Sequence, residues 1–285
     1  MQAHVGALYV IGGMHTVCED YARVVPHPER PHIVVADGCS ASKDTDIGAR
    51  FLALAASAYV SAFPDSIALE PKAILLAAER LARECGLPQT SLDATLLMAR
   101  LVPKENGTQC DTIRVTCFGD GAVACRRRAT AEIVLTTISF PRGAPYYLSY
   151  LLCAERYRAL VRHGLERVVR RAVIHPGELE ARQSGEEIEA GSRVDVAITI
   201  DVPLAEYDLV ALFSDGVETF VDRSAEQPQR VPVESVIAEL LAFKNYHGRF
   251  VERRMRRFLR QTRERGWVHE DDLSLAVLYR GDDPC

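Results

Sequence analysis

The eight cysteines of this chain, Cys18, Cys39, Cys85, Cys110, Cys117, Cys125, Cys153 and Cys285, contain no C-x-x-C pair and no repeated spacing. That absence excludes a zinc ribbon and a disulfide scaffold, and it leaves free thiols, with Cys117 and Cys125 at apolar strand positions. Long apolar runs are also missing. The longest candidate, residues 51–60, carries Ser57 and falls well short of the roughly 20 residues a membrane helix requires, so no bilayer span and no membrane partner is expected. No basic stretch opens the sequence: Met1-Gln2-Ala3-His4 runs on to Gly12-Gly13 without the pattern of an export signal, and a cytoplasmic location is expected. An excess of positive charge is lacking as well. With 34 Lys+Arg against 39 Asp+Glu the net charge is −5, which argues against a general nucleic-acid binder. Neither a C-x₅-R loop nor a Walker-type glycine loop occurs, so neither an activated thiol of that kind nor a P-loop is expected.

What remains is an ordinary globular composition: 285 residues, 48% hydrophobic and 26% charged. Short apolar runs bounded by Gly and Pro at 5–11 and 32–36 predict buried strands. Helical spacing of Ile47, Phe51, Leu52, Ala55 and Val60 predicts a helix over 47–62, and Glu70-Pro71 opens a second that stops at Gly86. Residues 94–102, 112–118, 122–127 and 131–137 read as a meander with Asn106-Gly107 and Asp120-Gly121 turns. The stretch 140–191 begins with Pro141, Gly143 and Pro145, carries a predicted helix over 150–169 and ends in a polar segment; it is expected to be an excursion outside the sheets. Strands at 194–200, 208–213 and 273–279 and helices at 232–243 and 248–265 complete the pattern. It predicts one domain over 1–285, of α+β class, with layered antiparallel sheets.

The chemistry lies in where acidic residues meet the apolar runs. Three predicted strands end in Asp-Gly, at Asp37-Gly38, Asp120-Gly121 and Asp215-Gly216; Glu270-Asp271-Asp272 immediately precedes a fourth, and Glu19-Asp20 lies in the early loop. Each alone reads as a turn, because Asp and Gly tolerate positive φ. Several such ends at one sheet edge would crowd like charges together, which is costly unless cations neutralise them. Carboxylate and carbonyl donors without His or Cys suit Mg²⁺ or Mn²⁺ and disfavour zinc.

These landmarks, taken in order, resemble the metal-dependent type 2C serine/threonine protein phosphatases, in particular their divergent bacterial branch. The residues that carry the resemblance are Gly13-x-His15-x-x-Cys18-Glu19-Asp20-Tyr21, Val35-Ala36-Asp37-Gly38-Cys39, Asp46-Ile47-Gly48-Ala49, Ala94-Thr95-Leu96-Leu97, Gly119-Asp120-Gly121, Phe213-Ser214-Asp215-Gly216-Val217 and Asp271-Asp272-Leu273-Ser274. The resemblance implies a β-sandwich of two antiparallel sheets flanked by helices, in αββα layers, with a binuclear Mg²⁺/Mn²⁺ centre at one edge. It implies Asp37 as the bridging carboxylate and the Gly38 carbonyl on the second metal. Asp215 and Asp271 would complete the first metal, with Glu19 on the second through water. Asp120, with Asp215, is similar to a third-metal site, and Asp20 and Asp272 to supporting residues behind the ligands. A hydroxide shared by two ions would attack the phosphate in line. The implied substrate is a phosphorylated protein, the product of a Ser/Thr kinase.

The chain departs from that pattern at two places. His15 stands where many members have a phosphate-gripping arginine, as a phosphate contact, a leaving-group acid or a structural residue, and Cys39-Ser40-Ala41-Ser42 follows Asp37-Gly38. These departures support an alternative function, a catalytically weak phosphatase-like module that binds a phosphoprotein; a two-metal nuclease is a third reading that the acidic charge disfavours. The arginine-rich run from Arg253 to Arg265 reads as the solvated face of an amphipathic helix or a site for an acidic partner. Residues 146–152 read either as a lid near the metals or as helix core.

Overall fold

β-Branched and aromatic residues between turn residues set the strands of this chain. In the computed structural model, which describes residues 3–64, 66–103, 110–141, 145–163, 165–177, 182–191, 197–224 and 226–281, the first elements are β1 (His4–Val10), β2 (Asp20–Val25) and β3 (His32–Asp37). Two helices follow, α1 (Thr45–Ala62) and α2 (Pro71–Glu84). Pro71 occupies the first helical position of α2, where its missing N–H leaves no hydrogen bond unmade. The predicted meander is present as β4 (Leu96–Pro103), β5 (Cys110–Phe118), β6 (Gly121–Arg127) and β7 (Ile133–Ser139). The chain continues through α3 (Ala154–His163), β8 (Leu165–Ile174), β9 (Arg182–Gly191), β10 (Ile198–Pro203) and β11 (Tyr207–Phe213). It ends with β12 (Phe220–Asp222), β13 (Gln229–Arg230), α4 (Val233–Leu240), α5 (Phe250–Glu264), β14 (Trp267–His269) and β15 (Leu273–Tyr279).

Seven strands form one sheet in the order β1-β15-β11-β6-β7-β8-β9, and five form a second in the order β10-β5-β4-β3-β2. The pairings in both are antiparallel. Ile33, Val35, Leu97, Val115, Val210 and Leu278 fill the space between the two sheets. On the outer face of the five-stranded sheet, Val34 and Met98 pack against Leu52, Ile74 and Leu75 of α1 and α2. On the outer face of the seven-stranded sheet, Ala211 and Leu275 meet Phe250, Met255 and Phe258 of α5. With both faces covered, the central strands read as continuous apolar runs rather than as alternation, and each fully buried side chain contributes about 1.5–3 kcal/mol. The expected α+β class and αββα layering are present.

Two expectations need correction. The stretch 140–191 does not stay outside the sheets, and the helix over 150–169 is not formed as one piece: residues 148–152 make a short 3₁₀ turn, α3 follows, and β8 and β9 then extend the seven-stranded sheet beyond β7. Val168, Val169, Ala172 and Ile174 of β8 are buried, but Arg170 and Arg171 interrupt them, with Arg170 donating to Glu186 of β9 at 2.9 Å. Those charges suit a peripheral strand pair and hide its period. Glu19 lies in the β1–β2 loop as expected, and Asp20 next to it begins β2 and pairs with Asp37. The turn at Asn106-Gly107 lies outside the described residues. Among the described residues, no helix is long and apolar enough to cross a membrane.

Candidate metal centre

Antiparallel topology brings the acidic strand ends to one edge. Asp37 closes β3 and stands opposite Asp20 at the start of β2. Asp120 sits in the turn from β5 to β6, between Gly119 (φ 93°) and Gly121 (φ 129°), which supply the left-handed backbone this tight turn needs. Asp215 follows β11, and Asp271-Asp272 precedes β15, the neighbour of β11 in the sheet. Gly216 permits these last two segments to close: a Cβ there would lie 1.7 Å from the Asp272 carbonyl oxygen.

Hydrogen bonds fix much of this edge. Asp272, 2% exposed, accepts the Gly12 N–H at 2.7 Å on Oδ1 and the Glu19 N–H at 2.6 Å on Oδ2, so it ties the β1–β2 loop to β15. Its own N–H donates to Asp271 Oδ1 at 2.8 Å. Ser214 Oγ donates to Asp20 Oδ2 at 2.7 Å and itself accepts the Ser274 N–H at 2.9 Å. Thr45 Oγ1, at the start of α1, donates to Glu19 Oε1 at 2.8 Å. Gly38 N–H donates to the Glu19 carbonyl at 3.2 Å, and Asp37 O accepts the Thr95 N–H at 2.8 Å. His15 lies among these acids: Nε2 is 3.3 Å from Asp271 Oδ1, and Nδ1 is 3.1 Å from Asp272 Oδ2 as an ion-pair contact rather than an aligned hydrogen bond.

The electrostatics are those of crowded, half-desolvated carboxylates. Burial, then the charges of Asp20 and Asp215, hold Asp37 well above the usual carboxylate range. Burial and Asp215 push Asp120 up to about 8. Burial raises Asp20 to about 7; the Ser214 hydrogen bond opposes this, and the Asp272 and Asp215 charges add to it. Asp271 is raised by burial and by Asp215. Burial works against charge on His15, but Asp272, Asp271 and Glu19 prevail and raise its pKa.

The donor set suits a hard divalent cation. It offers carboxylate oxygens, and Asp20 Oδ1 is buried with no hydrogen-bond partner among the described residues. Among the described residues, no three His, Cys, Asp or Glu side chains already stand at the spacing of a closed ligand cage. Carboxylates without a cation repel one another or turn to cationic neighbours, as Asp271 does toward His15.

Several residues at this edge carried no signal of their own. Asp93, 3% exposed, accepts Ser42 Oγ at 2.8 Å, Ser149 Oγ at 2.5 Å and Arg156 Nη2 at 2.7 Å, while its carbonyl accepts the Cys39 N–H at 2.8 Å. It thus fastens the 39–42 loop to the segment leading into α3. An acid just before a strand, the placement seen at 270–272, was the available clue. Tyr147, 5% exposed, contacts Cys39, and its hydroxyl is within electrostatic reach of Asp120 and Asp37; burial pushes its pKa up. Of the two readings of 146–152, the packed one is present: Tyr146, Tyr147, Leu148 and Ser149 are buried, with residues 148–152 in a 3₁₀ turn. Among the described residues, Cys18, Cys39, Cys85, Cys117, Cys125 and Cys153 are free thiols.

A sequence profile described as Protein phosphatase 2C matches residues 13–260. No curated protein sequence matches the chain significantly. Solved structures of similar fold include a mutant bacterial serine phosphatase (TM-score 0.52, 12% identity, 97% of this chain and 98% of that one). PppA of Pseudomonas aeruginosa, a key regulatory component of T6SS, gives a TM-score of 0.50 at 15% identity, over 98% of each chain. The phosphatase domain of the Bacillus subtilis cell fate determinant SpoIIE, with a fragment of its regulatory domain, gives 0.50 at 10% identity, over 98% of this chain and 63% of that one. At such identities the likeness is one of fold.

Proposed function

The chain belongs to the protein phosphatase 2C family, a metal-dependent family, and from that premise we propose that it hydrolyses phosphoserine and phosphothreonine in proteins. The observation that carries this reading is the set of carboxylates gathered around Asp215, namely Asp20, Asp37, Asp120 and Asp271, whose pKa values are raised by burial and by their acidic neighbours. Asp37, Asp215 and Asp271, with the Gly38 carbonyl and Glu19, would hold two Mg²⁺ or Mn²⁺ ions, and Asp120 with Asp215 a third. Bound there, such ions supply an activated water and neutralise the charge on the phosphoryl oxygens.

The chain's own residues hold that arrangement. Ser214 keeps Asp20 in one rotamer behind Asp37, Thr45 orients Glu19, and Asp272 fastens the backbone that carries Glu19 to the start of β15. His15 acts as a positioning residue for Asp271 and as the cationic group nearest Asp271 and Asp272 when a phosphate arrives. Tyr147 walls the edge beside Cys39 and excludes water from that side.

The His15 contact with Asp271 also favours a second reading, a phosphoprotein-binding module with weak turnover, because an imidazole at 3.3 Å competes with an ion for that carboxylate. One assay separates the readings: hydrolysis of a phosphothreonine peptide under Mn²⁺ titration, with a chelator control and a single-stranded nucleic acid in parallel. Metal-dependent release of phosphate from the peptide alone is expected. Peptide binding without turnover would favour the module, and cleavage of the nucleic acid would overturn both.

A further inference from the structure

Seven of the thirteen residues from Arg253 to Arg265 are arginine, in a chain whose net charge is −5. Phe250, Val251, Met255 and Phe258 of α5 are buried against the seven-stranded sheet, whereas Arg253, Arg257 and Arg260 are exposed and follow one another at i, i+4 and i+7 as a single outward stripe. Glu252 takes up Arg249 at 3.3 Å and Arg256 at 2.8 Å, and Glu239 takes up Arg265 at 2.6 Å. Among the described residues, no carboxylate lies within ion-pair distance of Arg253, Arg254, Arg257 or Arg260. Arg253 donates instead to Asn245 Oδ1 at 2.9 Å and to the His247 carbonyl at 2.8 Å, and Arg254 donates to the Glu239 carbonyl; all three acceptors are neutral.

A cavity of about 420 Å³ opens beside this stripe, between the start of α5 and the segment that joins it to α4. Phe243 and Phe250, with ring centroids 5.1 Å apart, line its apolar part; Lys244, Arg253, Arg254 and Arg257 stand around it, and no acidic residue is among its described walls. Such a volume falls within the range of about 300–1,000 Å³ usual for ligand pockets. Burial lowers the pKa of Arg254; the Glu239 carboxylate opposes this, and the charges of Arg257 and Arg265 add to it. The cavity is remote from the candidate metal centre. Tyr246, in the same connecting segment, stacks on Tyr279 at 3.5 Å, and Tyr279 ends β15 roughly 20 Å along the strand from Asp272.

We propose that this corner of α5 docks an acidic segment of a partner protein, with an apolar side chain of that segment seated against Phe243 and Phe250 and its carboxylates received by Lys244, Arg253 and Arg257. Carboxylates supply the anions that the stripe lacks, and a guanidinium fork can donate two N–H groups to each. Arg253 and Arg257 are about 6 Å apart along the helix axis, close to the roughly 6.6 Å between alternate side chains of an extended peptide. A nucleic acid fits less well. Phe250, 2% exposed, and Tyr246, 4% exposed, present no free ring face for a base to stack on, and a long polyanion would meet the net negative charge of the rest of the molecule. Docking so far from the acidic edge holds a partner without occupying that edge, and the inference does not rest on the phosphatase reading.

The test uses the full chain with a chelator present, so that no metal ion bridges the acidic edge to an anionic probe. Fluorescence anisotropy follows a labelled peptide that carries one phenylalanine between two runs of three glutamates. Saturable binding is expected, and it should weaken as salt is raised. Exchanging the phenylalanine for serine should weaken binding about tenfold, and exchanging the glutamates for glutamines should abolish it. Arg257→Gln, at an exposed position with no carboxylate to leave unpaired, should weaken binding about fivefold. The same change of charge at Arg83, exposed on α2 beyond the other sheet, should leave binding as it is. Absence of saturable binding overturns the proposal. So does an equal loss in Arg83→Gln, which would reduce the attraction to net charge, and so does tighter binding of a single-stranded oligonucleotide in a parallel titration.

Discussion

Asp37 stands directly opposite Asp20 in the β2–β3 ladder, a juxtaposition of two like groups that a sheet without a cation would not favour. Replacing Asp37 by Asn removes the carboxyl group that faces Asp20 across the ladder and is proposed to bridge the ions, and turnover in the Mn²⁺ assay is expected to fall to background while circular dichroism stays native. Asp20→Asn is expected to be milder, about 10- to 100-fold, because Asp20 is tied to Ser214 behind the proposed ligands. Wild-type rates in Asp37→Asn would remove the metal assignment. The same crowding fixes a pH dependence. Asp20 and Asp120 keep their protons to about 7 and about 8 in the folded state, against 3.8 in the unfolded chain. Raised folded values mean that the stability linked to these groups is fully present below pH 3.8 and is lost as pH rises through 7 and 8. The melting temperature of chelator-treated protein should therefore decline across that window, and Asp37→Asn should flatten the decline; a flat wild-type profile would contradict the assigned crowding.

At the level of elements, legibility followed burial. β3, β4, β11 and β15 are covered on both faces and announce themselves as apolar runs, and α1 and α2 show their spacing and their Pro or Gly boundaries. β2, β8 and β9 were not legible. They lie at or near sheet edges, where Arg23, Arg170 and Glu186 interrupt any period of two and pairing with a neighbour outweighs local pattern. The segment entering α3 shows the same limit, since Asp93 holds it through Ser149 and Arg156 from residues 56 and 63 positions away, a relation that no local spacing encodes. Arg156→Ala should free α3 and the preceding turn first. Arg156 is 30% exposed while Asp93 keeps Ser42 and Ser149, so the global loss is expected to be only about 1 kcal/mol. Hydrogen exchange should rise selectively over 148–163; uniform destabilisation instead would show that the Asp93 contacts are not a local latch.

On the scale of the whole molecule, the layered fold and the gathering of acids at one edge are two outcomes of one pattern. A strand buried on both faces can place a carboxylate rigidly only where it leaves the core, so Asp37, Asp215 and Asp271 were legible from their positions, whereas Ser214, Thr45 and Asp93 depend on partners far away in sequence. Holding five acids at that edge opposes folding until a cation arrives. Ion binding should then stabilise the entire domain, because an unfolded chain cannot reassemble ligands from β3, β11 and the start of β15. At a free Mn²⁺ concentration 100 times the dissociation constant, linkage adds about 2.7 kcal/mol. For a chain of this size that corresponds to a rise of roughly 5–10 °C in melting temperature. The rise is expected to be largest at the upper end of the pH window above, where the carboxylates have lost their protons and repel one another most. Mn²⁺ should also abolish most of the pH dependence itself, since the ion replaces the protons that Asp20 and Asp120 hold. Scanning calorimetry of wild type and Asp37→Asn, with and without Mn²⁺ at pH 5 and pH 8, checks all of this at once. An equal rise in Asp37→Asn would place the ion away from Asp37 and require a different ligand set.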